Sequence, residues 1–209
     1  MVKQEIIFWR YLWKTQYVLL LLPIILMALA AAIATYDGDL ANNLMKLIVF
    51  PILLFPAVAS LYHIGSIHHR ELLLTFPLNN LWLGLIRPAF LGFIYSACFT
   101  ISLKTVSPYS TEELASAFIS SFFYMILAGF FLVLFKSIAI GFVIPMAYLF
   151  YGIFTTGTGE GYFYLMQWAR PNPDLTLRDC VVVQAIAAIV FSLGTLYFLA
   201  KRNKYHWNT

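Results

Sequence analysis

LASAFISSFFYMILAGFFLVLF, residues 114–135, runs for 22 residues without a charged side chain. At 1.5 Å per residue an α-helix of that length spans about 33 Å, enough to cross a hydrocarbon core of about 30 Å. Its apolar residues do not alternate with polar ones, so it does not suit a strand of a membrane barrel. In hydrocarbon every backbone N–H and C=O must be satisfied within its own segment, and that leaves the helix.

Five further apolar runs lie around it, at residues 17–35, 44–64, 81–103, 138–154 and 180–200, with Lys46 and Arg87 near the ends of two of them. Pro88 predicts a kink or a restart in the run 81–103, because proline removes a rung of the helical ladder. The expected fold is therefore all-α, a polytopic membrane protein of about six transmembrane helices in a single domain over residues 1–209. Composition agrees, with 62% hydrophobic and 11% charged residues, where a soluble domain carries about a quarter charged. No soluble domain, low-complexity stretch or internal repeat interrupts it. The run 17–35 is too long for the apolar core of a cleaved signal, and no clear small-residue cleavage site follows, so it is expected to remain as a span.

Lys and Arg set the orientation, because they stay where the chain is not translocated. With both ends on the cytoplasmic side, Lys3, Arg10, Lys14, Arg70, Arg87, Lys136, Lys201, Arg202 and Lys204 lie inside, and only Lys46, Lys104, Arg170 and Arg178 outside. That places nine of the thirteen cations inside and favours N-in and C-in. The net charge of +4 is then a signal of topology, with no nucleic-acid partner implied. Ahead of the first run, Val2, Ile6, Trp9 and Trp13 recur at helical spacing while Lys3, Arg10 and Lys14 share another side. Residues 1–16 thus suit an interfacial helix, with Trp9, Arg10, Trp13 and Lys14 at headgroup level. The alternative is a simple extension of the first span whose cations snorkel.

Few residues offer chemistry. Ion-coupled carriers keep an ionisable group in mid-membrane, whereas every Asp, Glu, Lys and Arg here falls at an expected end or loop. Arg87 is the nearest exception, and it is placed to snorkel. His63, His68 and His69 cluster at one inner edge but lack the i, i+4 pairing of a zinc helix, which favours interfacial hydrogen bonding. Cys98 and Cys180 have no metal or redox spacing and are expected to be packing residues. Glu112 and Glu113 are similar to the paired glutamates of a membrane protease family, but Ala117 stands where that pattern has Arg. No G-x-S-x-G is present, so no catalytic, cofactor-binding or metal-binding residue is assigned. The glycine-rich TTGTGEG at 155–161 lacks the G-K-[ST] that lets a phosphate loop hold nucleotide. Work done on a substrate would have to come from a partner.

One cytoplasmic loop carries a more specific pattern. HHRELLLTFPLNNLWLGLIR, residues 68–87, resembles the loop between the second and third spans of ABC exporter permeases of the type-2 class. There a variant of E-L-L-L-[ST]-x-P recurs, and here Glu71, Leu72, Leu73, Leu74, Thr75, Phe76 and Pro77 occupy it. Asn79 and Asn80 stand where the family often has basic residues, and the large extracellular domain of some members is absent. The resemblance implies that residues 65–80 form the coupling loop that docks on a separate cytosolic ATPase. It implies two such subunits, with ATP and Mg bound there and not on this chain, and a second permease, identical or related. It also implies a bacterial cytoplasmic membrane.

A short segment of this kind can also be read physically, as an apolar knob for a partner's groove with Glu71 and Thr75 at its polar rim; an interfacial re-entry turn is the alternative. In the family the stretch before the last span dips back into the outer leaflet and closes the exit. Residues 155–179 here offer Tyr162, Phe163, Tyr164, Met166 and Trp168 for such an outer gate, or for an ordinary aromatic belt. The expected function is export of an amphipathic or lipophilic cargo, a peptide, toxin, antibiotic or lipid. A non-transporting scaffold, immunity or sensor protein is the rival.

Overall fold

The computed structural model describes residues 2–65 and 81–201. Its helices are α1 (Val2–Thr15), α2 (Tyr17–Ile33), α3 (Gly38–Tyr62, with a last turn ending at Gly65), α4 (Trp82–Val106), α5 (Thr111–Phe135), α6 (Ile138–Thr155) and α7 (Leu177–Ala200). Among the described residues there is no strand. The five helices α3 to α7 are long and apolar enough to cross a membrane. α1 and α2 meet that test together as a pair bent by 73°, which makes six.

The starts of α3, α5 and α7 lie further out than their apolar runs, because polar caps add residues ahead of them. Asp37 Oδ1 accepts a hydrogen bond from Leu40 N at 2.9 Å, which starts α3 at Gly38 and not at residue 44. Ser110 Oγ accepts from Glu113 N at 3.2 Å while Ser110 N donates to Glu113 Oε2 at 2.7 Å, a reciprocal capping box that starts α5 at Thr111. Thr176 caps α7 with a single bond, its hydroxyl accepting from Asp179 N at 3.2 Å. The extension of α3 corrects one expectation. Lys46, read as an end residue, lies eight residues inside the helix, about 12 Å from its start.

The prolines are accommodated by wide turns. Pro51 follows the π turn Met45–Val49, and Pro88 follows the π turn Trp82–Ile86. A proline strands the carbonyl four residues before it, and an i to i+5 turn hands that carbonyl to the N–H just after the proline. The restart expected at Pro88 is therefore not found, and α4 runs unbroken over 25 residues.

α5 is the hub of the bundle, packing against α3, α4, α6 and α7. Tyr124, Met125 and Ala128 on it have no exposed surface. α6 crosses α5 closely at Gly141, where a Cβ would come within 3.2 Å of the Leu132 Cα, the close backbone approach that holds membrane helices together without a hydrophobic drive. α2 is tied to α4 by the Tyr95 hydroxyl, which donates to the Leu20 carbonyl at 2.6 Å. α1 turns Phe8, Trp9 and Leu12 inward, and Trp9 meets Phe90 of α4 edge-on at 5.9 Å. Arg87 does not snorkel. It is 5% exposed, with its guanidinium carbon 3.5 Å from the Phe8 ring centroid, a cation–π contact made out of water.

Candidate functional site

The longest described connection, between α6 and α7, folds back into the bundle. Its reversal begins at two consecutive left-handed residues, Thr156 (φ 52°) and Gly157 (φ 77°), and Gly157 N donates to Gly152 O at 3.1 Å. The Thr155 hydroxyl donates to the Glu160 carboxylate at 3.1 Å, closing the glycine-rich loop on itself. A short 3₁₀ turn, Gly161–Phe163, then leads into five consecutive buried residues, Tyr164, Leu165, Met166, Gln167 and Trp168.

Trp168 reaches the middle of the bundle. Its ring lies 5.9 Å from Phe50, 5.6 Å from Phe99 and 5.8 Å from Tyr109, and Phe50 in turn stacks on Tyr124 at 5.3 Å. Phe50 is near the midpoint of α3. The five aromatic and Met positions singled out in the sequence therefore divide. Tyr164, Met166 and Trp168 turn into the bundle, while Tyr162 and Phe163 are each 43% exposed.

An irregular backbone buried among apolar helices needs partners for its polar groups, and these come from side chains two turns inside the neighbouring helices. Gln184 on α7 donates through Nε2 to the carbonyls of Tyr162 (3.2 Å) and Tyr164 (3.0 Å). Its Oε1 accepts from the Ser120 hydroxyl of α5 at 2.7 Å, which fixes the amide. Tyr148 on α6 donates to the Phe163 carbonyl at 3.0 Å. Gln167 turns back on its own segment, accepting from Asn172 N at 3.2 Å. Gln184 was not singled out from the sequence, although a lone amide inside an apolar run is itself a signal. Burial pushes the phenols of Tyr109 and Tyr164 above the usual tyrosine range, and the Tyr109 hydroxyl donates to Asn42 Oδ1 at 2.6 Å. The buried Tyr164 hydroxyl, Trp168 Nε1 and Tyr124 hydroxyl have no hydrogen-bond partner.

Gly157 is where the fold-back is most exposed to a single change. A Cβ there would lie 2.5 Å from the Tyr164 ring, and its φ is positive. Gly161 also has a positive φ (55°), but nothing lies within 4 Å of its would-be Cβ. Gly161→Ala is expected to cost about 1–2 kcal/mol from backbone strain alone. Gly157→Ala adds displacement of the ring and should lower the thermal midpoint further. Equal midpoints for the two purified variants would mean that the Tyr164 contact contributes nothing.

The other sequence candidates are spread out. On α1, Trp9 is half-buried while Arg10, Trp13 and Lys14 are exposed. The loop residues Glu71, Leu72, Leu73, Thr75, Phe76 and Pro77, with His68 and His69, lie outside the described residues, as does the side chain of His63. Cys180 is buried and Cys98 packs against the core. Among the described residues no three His, Cys, Asp or Glu side chains gather as a metal site. No family model, curated protein or solved structure matches the chain.

Proposed function

We propose that this chain is the permease subunit of an ATP-driven exporter of the ABC type-2 class, set N-in and C-in in a bacterial cytoplasmic membrane. The observation that carries the reading is the infolded segment 156–176, seated in the bundle ahead of the last helix, where the family places its exit closure. The sequence of residues 71–77 and the count of membrane-length helices support it as well. In this reading two permeases face each other and enclose the path of an amphipathic or lipophilic cargo. Two cytosolic ATPases bind ATP and Mg, and their closure pushes on the loop around Glu71 and tilts the helices between inward- and outward-open states. α1 lies in the interface on the cytoplasmic side, held by Phe8 on Arg87, with Trp13, Arg10 and Lys14 toward headgroups.

The test is at the loop. Glu71→Ala and Phe76→Ala should leave insertion and expression intact, yet weaken co-purification with a candidate ATPase by more than tenfold, since truncating an apolar anchor in a partner groove costs about 2 kcal/mol or more. Stimulated ATP turnover in proteoliposomes should fall with it. Stably folded variants that keep full binding and full coupled turnover would overturn the assignment of the loop. A wild-type chain that never stimulates turnover would favour a non-transporting scaffold.

A further inference from the structure

α1 turns one face to the bundle and leaves the other bare. Phe8, Trp9 and Leu12 point inward, Leu12 with no exposed surface, and they are held there by Trp9 on Phe90 and Phe8 on Arg87. At 3.6 residues per turn Arg10 and Lys14 project opposite that face, with Ile6 and Trp13 along one flank and Ile7 and Tyr11 along the other. All six are exposed, Ile7 at 67%, Ile6 at 52% and Trp13 at 49%. Among the described residues neither Arg10 nor Lys14 has a hydrogen bond or an ion-pair partner. The 73° bend at Gln16 sets α1 across the axis of α2, which the Tyr95 hydroxyl ties to α4. With α2 crossing the membrane, α1 lies nearly in its plane.

Large apolar side chains on both sides of a cationic pair suit neither bulk water nor a dry protein contact. They suit the headgroup boundary, where Ile enters the acyl region, Trp and Tyr sit at headgroup level, and Arg and Lys meet phosphates. We infer that the bare face of α1 is a binding surface for anionic phospholipid, and that Arg10 and Lys14, one turn apart, select the negative headgroup. The packing of Phe8, Trp9 and Leu12 holds the face in place before lipid arrives, so binding has no helix to order first. Trp9 is kept from the lipid by Phe90, which leaves Trp13 as the tryptophan beside the two cations. The inference rests on the placing of α1 in the interface and adds to it the class of lipid, the face and the two selecting residues. It requires no ATPase and no cargo.

The test uses the full chain in phosphatidylcholine vesicles, with each form compared with its own Trp13→Phe counterpart so that the difference isolates the emission of Trp13. Lipids brominated on the acyl chain quench a tryptophan that they touch. Brominated phosphatidylglycerol should associate at Trp13 about twentyfold more strongly than brominated phosphatidylcholine, at about fivefold for each cation. Arg10→Gln and Lys14→Gln should each remove about fivefold of that preference, and in the double variant the two lipids should quench alike. Lys104→Gln, at an exposed cation in the last turn of α4, should leave the preference unchanged. Equal quenching by the two lipids in the parent chain would overturn the inference, as would a preference that survives the double variant or falls as far in Lys104→Gln. Emission from Trp13 that neither lipid quenches would give the face to a protein partner and overturn it as well. The vesicles hold no ATPase, so failure here is distinct from failure of the exporter reading, which shows in coupled turnover.

Discussion

Trp168→Ala is expected to destabilise the fold by about 3–5 kcal/mol, the cost of emptying a well-packed aromatic site. Lipid does not reach a residue that is 1% exposed, so the void stays unfilled and the contacts with Phe50, Phe99 and Tyr109 are lost outright. Trp168→Phe is expected to cost far less, about 1–2 kcal/mol. It keeps a ring among those three, and the indole N–H that it deletes has no partner to miss it. The pair separates ring packing from polar anchoring. Denaturation in mixed detergent micelles, followed by tryptophan-independent circular dichroism, measures both. Equal midpoints for Trp168→Ala and the parent chain would show that the infolded segment is not seated as described.

Gln184 is the second sensitive position, and its failure has a different signature. Gln184→Leu keeps the volume but leaves the carbonyls of Tyr162 and Tyr164 and the Ser120 hydroxyl without a bond, at about 1–3 kcal/mol for each group that stays buried. A total loss of about 2–4 kcal/mol is expected. Gln184→Glu adds a pH dependence. As a carboxylate it would face two carbonyl oxygens, whereas the protonated acid donates one hydrogen bond to them. Protonation is thus favoured in the folded state, and the folded pKa rises above the ordinary value of about 4.3. Stability is retained below the unfolded pKa and lost as pH rises through the folded one. The variant should therefore unfold more easily at about pH 8 than at about pH 5, relative to the parent chain. A pH-independent difference would remove Gln184 Nε2 from its place as donor.

The helices were legible because their signal is carried by composition over twenty or more residues, and α5 and α6 begin and end close to their apolar runs. The boundaries that moved did so through side-chain hydrogen bonds. Ser110 with Glu113 is a readable S-x-x-E capping box, yet the glutamate pair was weighed for catalysis, and the role of Asp37 was hidden behind residues 38–43 of α3, five of them polar or small. Pro88 was read correctly as a lost rung, but whether the chain breaks or widens its turn depends on neighbours that hold the helix together, which one sequence does not display. In the connection 155–179 the sequence singles out five aromatic and Met positions, of which Tyr164, Met166 and Trp168 turn into the bundle, and that division was not legible. Tyr162 and Tyr164 are chemically alike, and which of them points inward is set by the backbone path through the left-handed residues 156, 157 and 161 and the turn Gly161–Phe163. Arg87 stayed obscure for the same reason, since its partner Phe8 is almost eighty positions away.

The clasp on the infolded segment also fixes an order of events during synthesis. The rings that contact Trp168, Phe50, Phe99 and Tyr109, belong to the chain made before it, as does Tyr124, which stacks on Phe50. The amide that satisfies its backbone comes afterwards, on α7. A nascent chain ending at residue 176 would own the whole aromatic socket and yet have no donor for two of the carbonyls that must enter it. Translation of the last helix thus supplies the donors for those two carbonyls, and the seat of the segment is complete only once residue 184 has been made.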